Sequence, residues 1–362
     1  MKKSDLKDLR FFREKDGTPD MFSLQLNCFE TSIYNILLNH FKLDKKLIAA
    51  LFIRDVNPTF WRNRTTGIFR MYNLSRNLVP LWTKYVRVNT YVKEGDSGAV
   101  GFIESLLDRG HMVILDTVFE ILSFYRKYNP AFELKDFRPG VEDHNNIILC
   151  HDTENFYYVE KLPYTVTMEN FVPYEFNEQI GVIPKREIEK ACSHYIRCCT
   201  VEVDGGSLTG AAFKAEVAGL FHKIADNFLA PEVQDGLYTR YYGKEAMERF
   251  AELCDEGCSL DAYYKSEGWP VLDRICFDIW MIHGARTILL EYINIINGDM
   301  GYSGDPQLLR NKTLETKEQW ELLEIIFNKM IRTKKPLDTS TGSRIRQQLV
   351  SEIELIELLK LF

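Results

Sequence analysis

Between residues 29 and 41 the apolar side chains Ile33, Ile36, Leu37 and Phe41 return every three to four positions, the spacing of one buried helix face. Downstream the period shortens. HMVILDTV (111–118), HNNIILCHD (144–152), FYYVEKLPY (156–164), QIGVIPK (179–185) and YIRCCTVEV (195–203) are short, rich in β-branched and aromatic residues, and bounded by turn formers, so each predicts a strand. FIESLLDRG, closed by Gly110, predicts a helix leading into the first of them. After the glycine-rich DGGSLTG (204–210) long helical periods take over, at 211–229, 243–256, 269–297 and 314–333, with a last from 343 to 361. The expectation is an α+β domain over residues 1–204, a helix against an antiparallel sheet, followed by an all-α helical domain over 205–362.

The 362 residues are 45% hydrophobic and 13% aromatic, enough to bury a core in each domain. A formal net charge of -7 gives no broad basic field, which argues against nucleic acid as a partner. MKKSDLKDLRFFREKDG lacks the apolar core of a signal peptide, and no run reaches the roughly 18 apolar residues of a membrane span. A cytoplasmic protein with no membrane association is expected, its eight cysteines reduced. Cys198 and Cys199 are adjacent and Cys254 and Cys258 lie four apart, but no second pair with histidine spacing completes a metal set. No phosphate loop, dinucleotide fingerprint or HExxH occurs, so neither metal nor cofactor is expected.

One cysteine stands apart. In SLQLNCFETSIYNILL (23–38) Cys28 sits at the first turn of the amphipathic helix, with Asn27 as N-cap. The positive end of the helix dipole favours a thiolate there, and first-turn N–H groups can hold an oxyanion. The alternative is a small buried hydrophobe. A nucleophile needs a base, and His144 opens an apolar strand. Glu160, 16 positions on, falls near the outer end of the partner strand of a hairpin, where it can orient the imidazole. Cys28, His144 and Glu160 would then be nucleophile, base and orienter. His151 competes as base and Asp152 as orienter, whereas His144 beside Asp143 and Glu160 beside Lys161 also read as surface groups.

NCFETSIYNILLNH followed by DHNNIILCHDTENFYYVEKLP resembles the N-terminal domain of the butirosin-biosynthesis protein H (BtrH) family, and more distantly the bacteriocin-processing cysteine peptidases. The likeness spans about residues 20–200, and RYYGKEAMERFAELC is similar to the helical part of the same family. The resemblance implies a papain-like cysteine-protease fold. It implies a cysteine acyltransferase of natural-product biosynthesis, which takes an aminoacyl or peptidyl group from a carrier-protein phosphopantetheine thioester and passes it to an amine or peptide acceptor. Cys28 and His144 match the family's nucleophile and base. CHD replaces the family's GYD, and Glu160 stands where an Asp is usual. The peptidases place a Gln before the cysteine as oxyanion donor; Gln25 lies nearer than that pattern, with Asn27 as its rival. A peptidase, an amidase or a cyclase would use the same triad, and a non-catalytic carrier-protein or peptide-binding module would keep the fold alone.

Other residues are weaker candidates. Asp116, at the end of its strand, can bind an amine acceptor or cap a helix. Arg62, Arg64, Arg70 and Arg76 can dock an acidic carrier protein and its phosphate or form a solvated face. His222 and His283 fall inside helical patterns, and DMGYSGDPQ (299–307) reads as a loop.

Overall fold

The computed structural model describes residues 6, 9, 11–12, 20–73, 78–94, 98–118, 143–159, 180–191, 195–230, 233–265, 271–296 and 301–362. In chain order its elements are α1 (Met21–Gln25), α2 (Cys28–Asn39), α3 (Lys45–Leu51), β1 (Thr59–Asn63), β2 (Phe69–Tyr72), α4 (Trp82–Tyr85), β3 (Val86–Glu94), α5 (Ala99–Asp108), β4 (Val113–Val118), β5 (Asp143–His151) and β6 (Asn155–Val159). There follow β7 (Gly181–Pro184), α6 (Lys185–Ala191), β8 (Tyr195–Val203), α7 (Ala211–Phe228), β9 (Val233–Asp235), β10 (Tyr238–Tyr242), α8 (Gly243–Asp255), α9 (Val271–Ile296), α10 (Pro306–Arg332) and α11 (Thr339–Leu359). The chain forms two units, residues 1–48 with 83–205, and residues 49–82 with 206–362.

The first unit is built on a six-stranded sheet in the order β3-β8-β4-β5-β6-β7, antiparallel throughout. Because successive strand residues face opposite ways, each strand feeds two layers. Val113 and Leu115 of β4, Ile148 of β5 and Cys198 of β8 share a core with Ile103, Leu106 and Leu107 of α5 and Ile188 of α6. Burying such a side chain contributes roughly 1.5–3 kcal/mol before the cost of ordering it. Helix α2 packs on β4, β5 and β8. Its Ile33, Ile36 and Leu37 are buried, as the helical spacing predicts. Gly110 closes α5 at φ 90°, a left-handed conformation that a side chain would strain.

The second unit corrects the expectation of an all-α half. Its described residues include the helices α7 to α11, but β9 and β10 form a hairpin that pairs through β1 with β2 in a four-stranded antiparallel sheet, order β2-β1-β10-β9. The hairpin turns at Gly236, φ 54°, directly after Asp235, and Asp-Gly is a strong hairpin signal. Stretch 49–82, expected in the first domain, belongs with the second unit because its strands complete that sheet. α8 opens on Gly243, φ 50°, directly after β10, where a Cβ would come within 2.4 Å of the Phe228 backbone. In the helical core Arg286 and Glu352, 0% and 1% exposed, form an ion pair beside Trp320. No helix among the described residues is long and apolar enough to cross a membrane.

Candidate functional site

The start of α2 is held from both sides. Asp20 caps α1 by accepting from the N–H groups of Phe22 and Ser23, and it also accepts from the Tyr34 hydroxyl at 2.8 Å and from Lys45. Thr31 Oγ1 donates to the carbonyl of Ser23 or Leu26, tying α1 to α2. Asn27 caps α2: its Oδ1 accepts from the Glu30 N–H at 2.9 Å and its Nδ2 donates to Glu30 Oε2 at 2.8 Å. This is a reciprocal capping arrangement. Cys28 is thus the first residue of a capped helix, half-buried, and its carbonyl accepts from Ser32 Oγ.

Strand β5 supplies the partner of this thiol. Cys28 Sγ lies 3.7 Å from Asn145 Oδ1. Asn145 stands directly opposite Asp116 in the β4–β5 ladder. Opposed side chains of an antiparallel pair lie within hydrogen-bonding reach, and Asn145 Nδ2 donates to Asp116 Oδ1. Arg197 of β8 approaches Asp116 Oδ2 from the other side, with Nε at 3.5 Å. A row results, Cys28–Asn145–Asp116–Arg197, that runs from the helix start across three strands. Asp116 is 16% exposed and Arg197 50%, so the row opens to solvent at its far end.

Of the residues singled out in the sequence, Cys28 and Asp116 come together here. Asn145, which joins them, was missed: alternation along HNNIILC brings one of its two asparagines to the helix, and the sequence alone does not choose which. The main chain of His144 lies in β5 opposite Thr117, and its side chain lies outside the described residues, as does Glu160 altogether. Gln25, half-buried, ends α1. The side chain of Asn27 is committed to the cap.

Asp152 is not brought to Cys28. It lies seven residues beyond Asn145 on an extended path of roughly 23 Å, and there its carboxylate organises the β5–β6 turn, accepting from Glu154 N, Asn155 N and the Tyr157 hydroxyl. His151 is at the same far end, 3.1 Å from Asp108 of α5.

The other described cysteines lack this setting. Cys150, Cys198, Cys199, Cys254 and Cys276 are buried. Burial pushes the Cys199 thiol up, with Asp116 adding to the effect against a hydrogen bond from Thr90. Cys254 is pushed far up, by burial first and Asp255 second. Cys258 is partly exposed, and burial raises it too. No group of three or more His, Cys, Asp and Glu among the described residues is placed to hold a metal ion.

In the second unit Arg70 is committed to Asp278 by two 2.7 Å bonds. Arg62 and Arg64 line an open groove of about 520 Å³ with Thr65, Thr66, Thr239 and Tyr241. Arg76 lies outside the described residues. His283 is 2.9 Å from Glu324, His222 is exposed, and Ser303 is tied to the Leu361 carbonyl. Neither a scan against protein-family models nor a search of curated proteins finds a match for the chain.

Proposed function

We propose that the chain is a cysteine-dependent acyltransferase with a papain-like first unit, in which Cys28 accepts an aminoacyl or peptidyl group from a carrier-protein thioester and passes it to an amine. The observation that carries this reading is the thiol itself, half-buried at the start of a capped helix and held against a polar side chain of the neighbouring sheet. The antiparallel sheet with a helix packed across it is the arrangement that the papain-like reading requires. His144 is the base that the sequence offers, with Glu160 as its orienter.

The chemistry suits a thiol. The Cys28 sulfur attacks the thioester carbonyl while His144 takes its proton, the C–S bond to the carrier breaks, and the carrier thiol leaves with that proton. One thioester replaces another, so the exchange is nearly thermoneutral. The acceptor amine then attacks acyl-Cys28, His144 takes the amine proton, and the amide forms as the Cys28 sulfur departs. The Cys28 N–H, at the start of α2, is the candidate donor to the oxyanion of both steps.

Intact-protein mass spectrometry after incubation with acyl-N-acetylcysteamine thioesters tests the reading. A mass gain absent from Cys28→Ala, and discharged faster by added amine than by water, supports transfer. Equal discharge by water makes the protein a hydrolase. No gain with any thioester, together with unaltered carrier or peptide binding by Cys28→Ala, leaves a non-catalytic module. Loading that survives in His144→Ala removes His144 from the role of base.

A further inference from the structure

We propose that the turns of the two paired hairpins in the second unit form a binding site for the phosphate group of a small phosphate monoester. The proposal does not depend on Cys28 being reactive.

The sheet β2-β1-β10-β9 builds the site. Arg62 of β1 stands directly opposite Thr239 of β10, and opposed side chains of an antiparallel pair share a face. From β1 to β2 the chain turns at residues 63–67. There Asn63 Oδ1 accepts from the N–H groups of Thr65 and Thr66 at 2.9 and 2.8 Å, and Gly67, φ 72°, donates its N–H to the Asn63 carbonyl. This turn is tied to the neighbouring one: the Arg64 N–H donates to the Leu237 carbonyl at 2.9 Å and the Arg64 guanidinium to the Gly236 carbonyl. The lining is therefore set in place before a ligand arrives, which lowers the ordering cost of binding.

The chemistry of that lining points to a phosphate. Arg62 and Arg64 bring two permanent positive charges to a groove of about 520 Å³, Thr65, Thr66 and Thr239 add hydroxyls, and no carboxylate among the described residues lines it. Guanidinium groups match phosphate oxygens in pairs, and the three terminal oxygens of a monoester accept from more donors than the two oxygens of a carboxylate. Thr239 is 7% exposed, and among the described residues no hydrogen bond engages its hydroxyl. Leaving such a group unpaired is costly, and a phosphate oxygen in the groove supplies the partner. Arg62 is 3.3 Å from Glu256, but the two side chains are 42% and 56% exposed. An exposed ion pair contributes little, so a dianion can draw Arg62 away from it. Small-molecule pockets hold about 300–1,000 Å³, and this groove has room for the organic part of an ester beside its phosphate.

Binding is read on the full chain by isothermal titration calorimetry at about pH 7.5, where a monoester with its second pKa at about 6 is a dianion. The probes are inorganic phosphate and phenyl phosphate, with sodium chloride holding the ionic strength constant. Both should bind saturably at one site, phenyl phosphate at least as tightly. Arg62→Gln should weaken both roughly tenfold or more, as expected for losing a charge-assisted hydrogen bond. Thr239→Val should weaken both by roughly threefold, the size of a neutral hydrogen bond. Without ligand, Thr239→Val should melt no lower than wild type, because the hydroxyl it removes has no partner to lose, so its weaker binding is separated from misfolding. Glu256→Gln releases Arg62 and should tighten binding, a gain that a purely structural Arg62–Glu256 pair does not produce. No saturable binding of either probe tighter than about 10 mM would overturn the site, as would affinities unchanged across the three variants. Binding of inorganic phosphate with phenyl phosphate excluded would overturn the ester and leave a site for the free anion.

Discussion

Replacing Arg286 by Met leaves the Glu352 carboxylate, 1% exposed, without its counter-ion. Arg286 Nε donates to Glu352 Oε1 at 2.9 Å while its Nη1 donates to the Ile282 carbonyl, and the same Oε1 accepts from Trp320 Nε1 and Gln348 Nε2, both at 2.7 Å. Breaking a buried pair on one side costs about 3–5 kcal/mol. For a unit of this size, that lowers the melting temperature by roughly 6–20 °C. The tryptophan and glutamine donors survive the change, so what remains wrong is the charge. Glu352→Gln added to Arg286→Met removes that charge and keeps an oxygen for both donors, so the double variant should recover at least about 1.5 kcal/mol over Arg286→Met. In the wild-type background the same Glu352→Gln should be destabilising, because it strands the guanidinium. All five tryptophans belong to the second unit, so denaturant titrations followed by tryptophan emission report it selectively. Changes that add within about 0.5 kcal/mol would refute the reasoning.

Burial raises the Asp55 carboxyl from 3.8 to about 6, against hydrogen bonds from the Asn57 N–H and the Asn227 amide. The shift is upward, so the stability it contributes is fully present below 3.8 and lost as pH rises through about 6. The loss amounts to at most about 3 kcal/mol. The tryptophan-reported melting temperature should fall between pH 5 and pH 7, and Asp55→Asn should flatten that fall. Both amide atoms of Asn146, a fully buried residue of β5, lack a partner. Asn146→Leu should therefore stabilise the first unit, by about 1–3 kcal/mol in urea titrations followed by circular dichroism. Asn27→Ala removes the cap of α2 and should cost about 0.5–2 kcal/mol by the same measurement, and Asn27→Ser, which keeps an acceptor for the Glu30 N–H, should recover part of that loss.

Helix α2 was legible because three physical signals agree there: a capping residue, a polar first turn, and apolar residues on one face. The strands 111–118, 144–152 and 195–203 were legible as apolar runs between turn formers. The second sheet was harder to read. Thr59–Asn63 (TFWRN) and Tyr238–Tyr242 (YTRYY) mix polar and aromatic residues without alternation over only five positions each, too weak a signal to outweigh the helical pattern that begins at Gly243. Their pairing joins segments far apart in the chain, which no local window reports. VRVNTYVKE (86–94) carries the alternation of a strand bordering solvent and was not recognised. At the site, the cysteine and Asp116 each carried a local signal, but Asn145 did not. Its role follows from register, and one step along β5 exchanges the faces of its side chains.

The ladder that joins β1 to β10 also orders events in time. Tyr242 follows its partner Thr59 by 183 residues, an interval that a ribosome adding 5–20 residues per second needs about 10–40 s to cross. Through that interval the first hairpin is finished, while the strand that will cover its edge does not yet exist. An unpaired strand edge is a template for pairing with other chains, so nascent molecules are most exposed to one another at this stage. A fragment ended at residue 204 would be caught there permanently, with β1 and β2 present and β10 absent. Expressing the cysteine-bearing unit alone therefore requires bridging residue 48 to residue 83 as well as choosing a C-terminal end point.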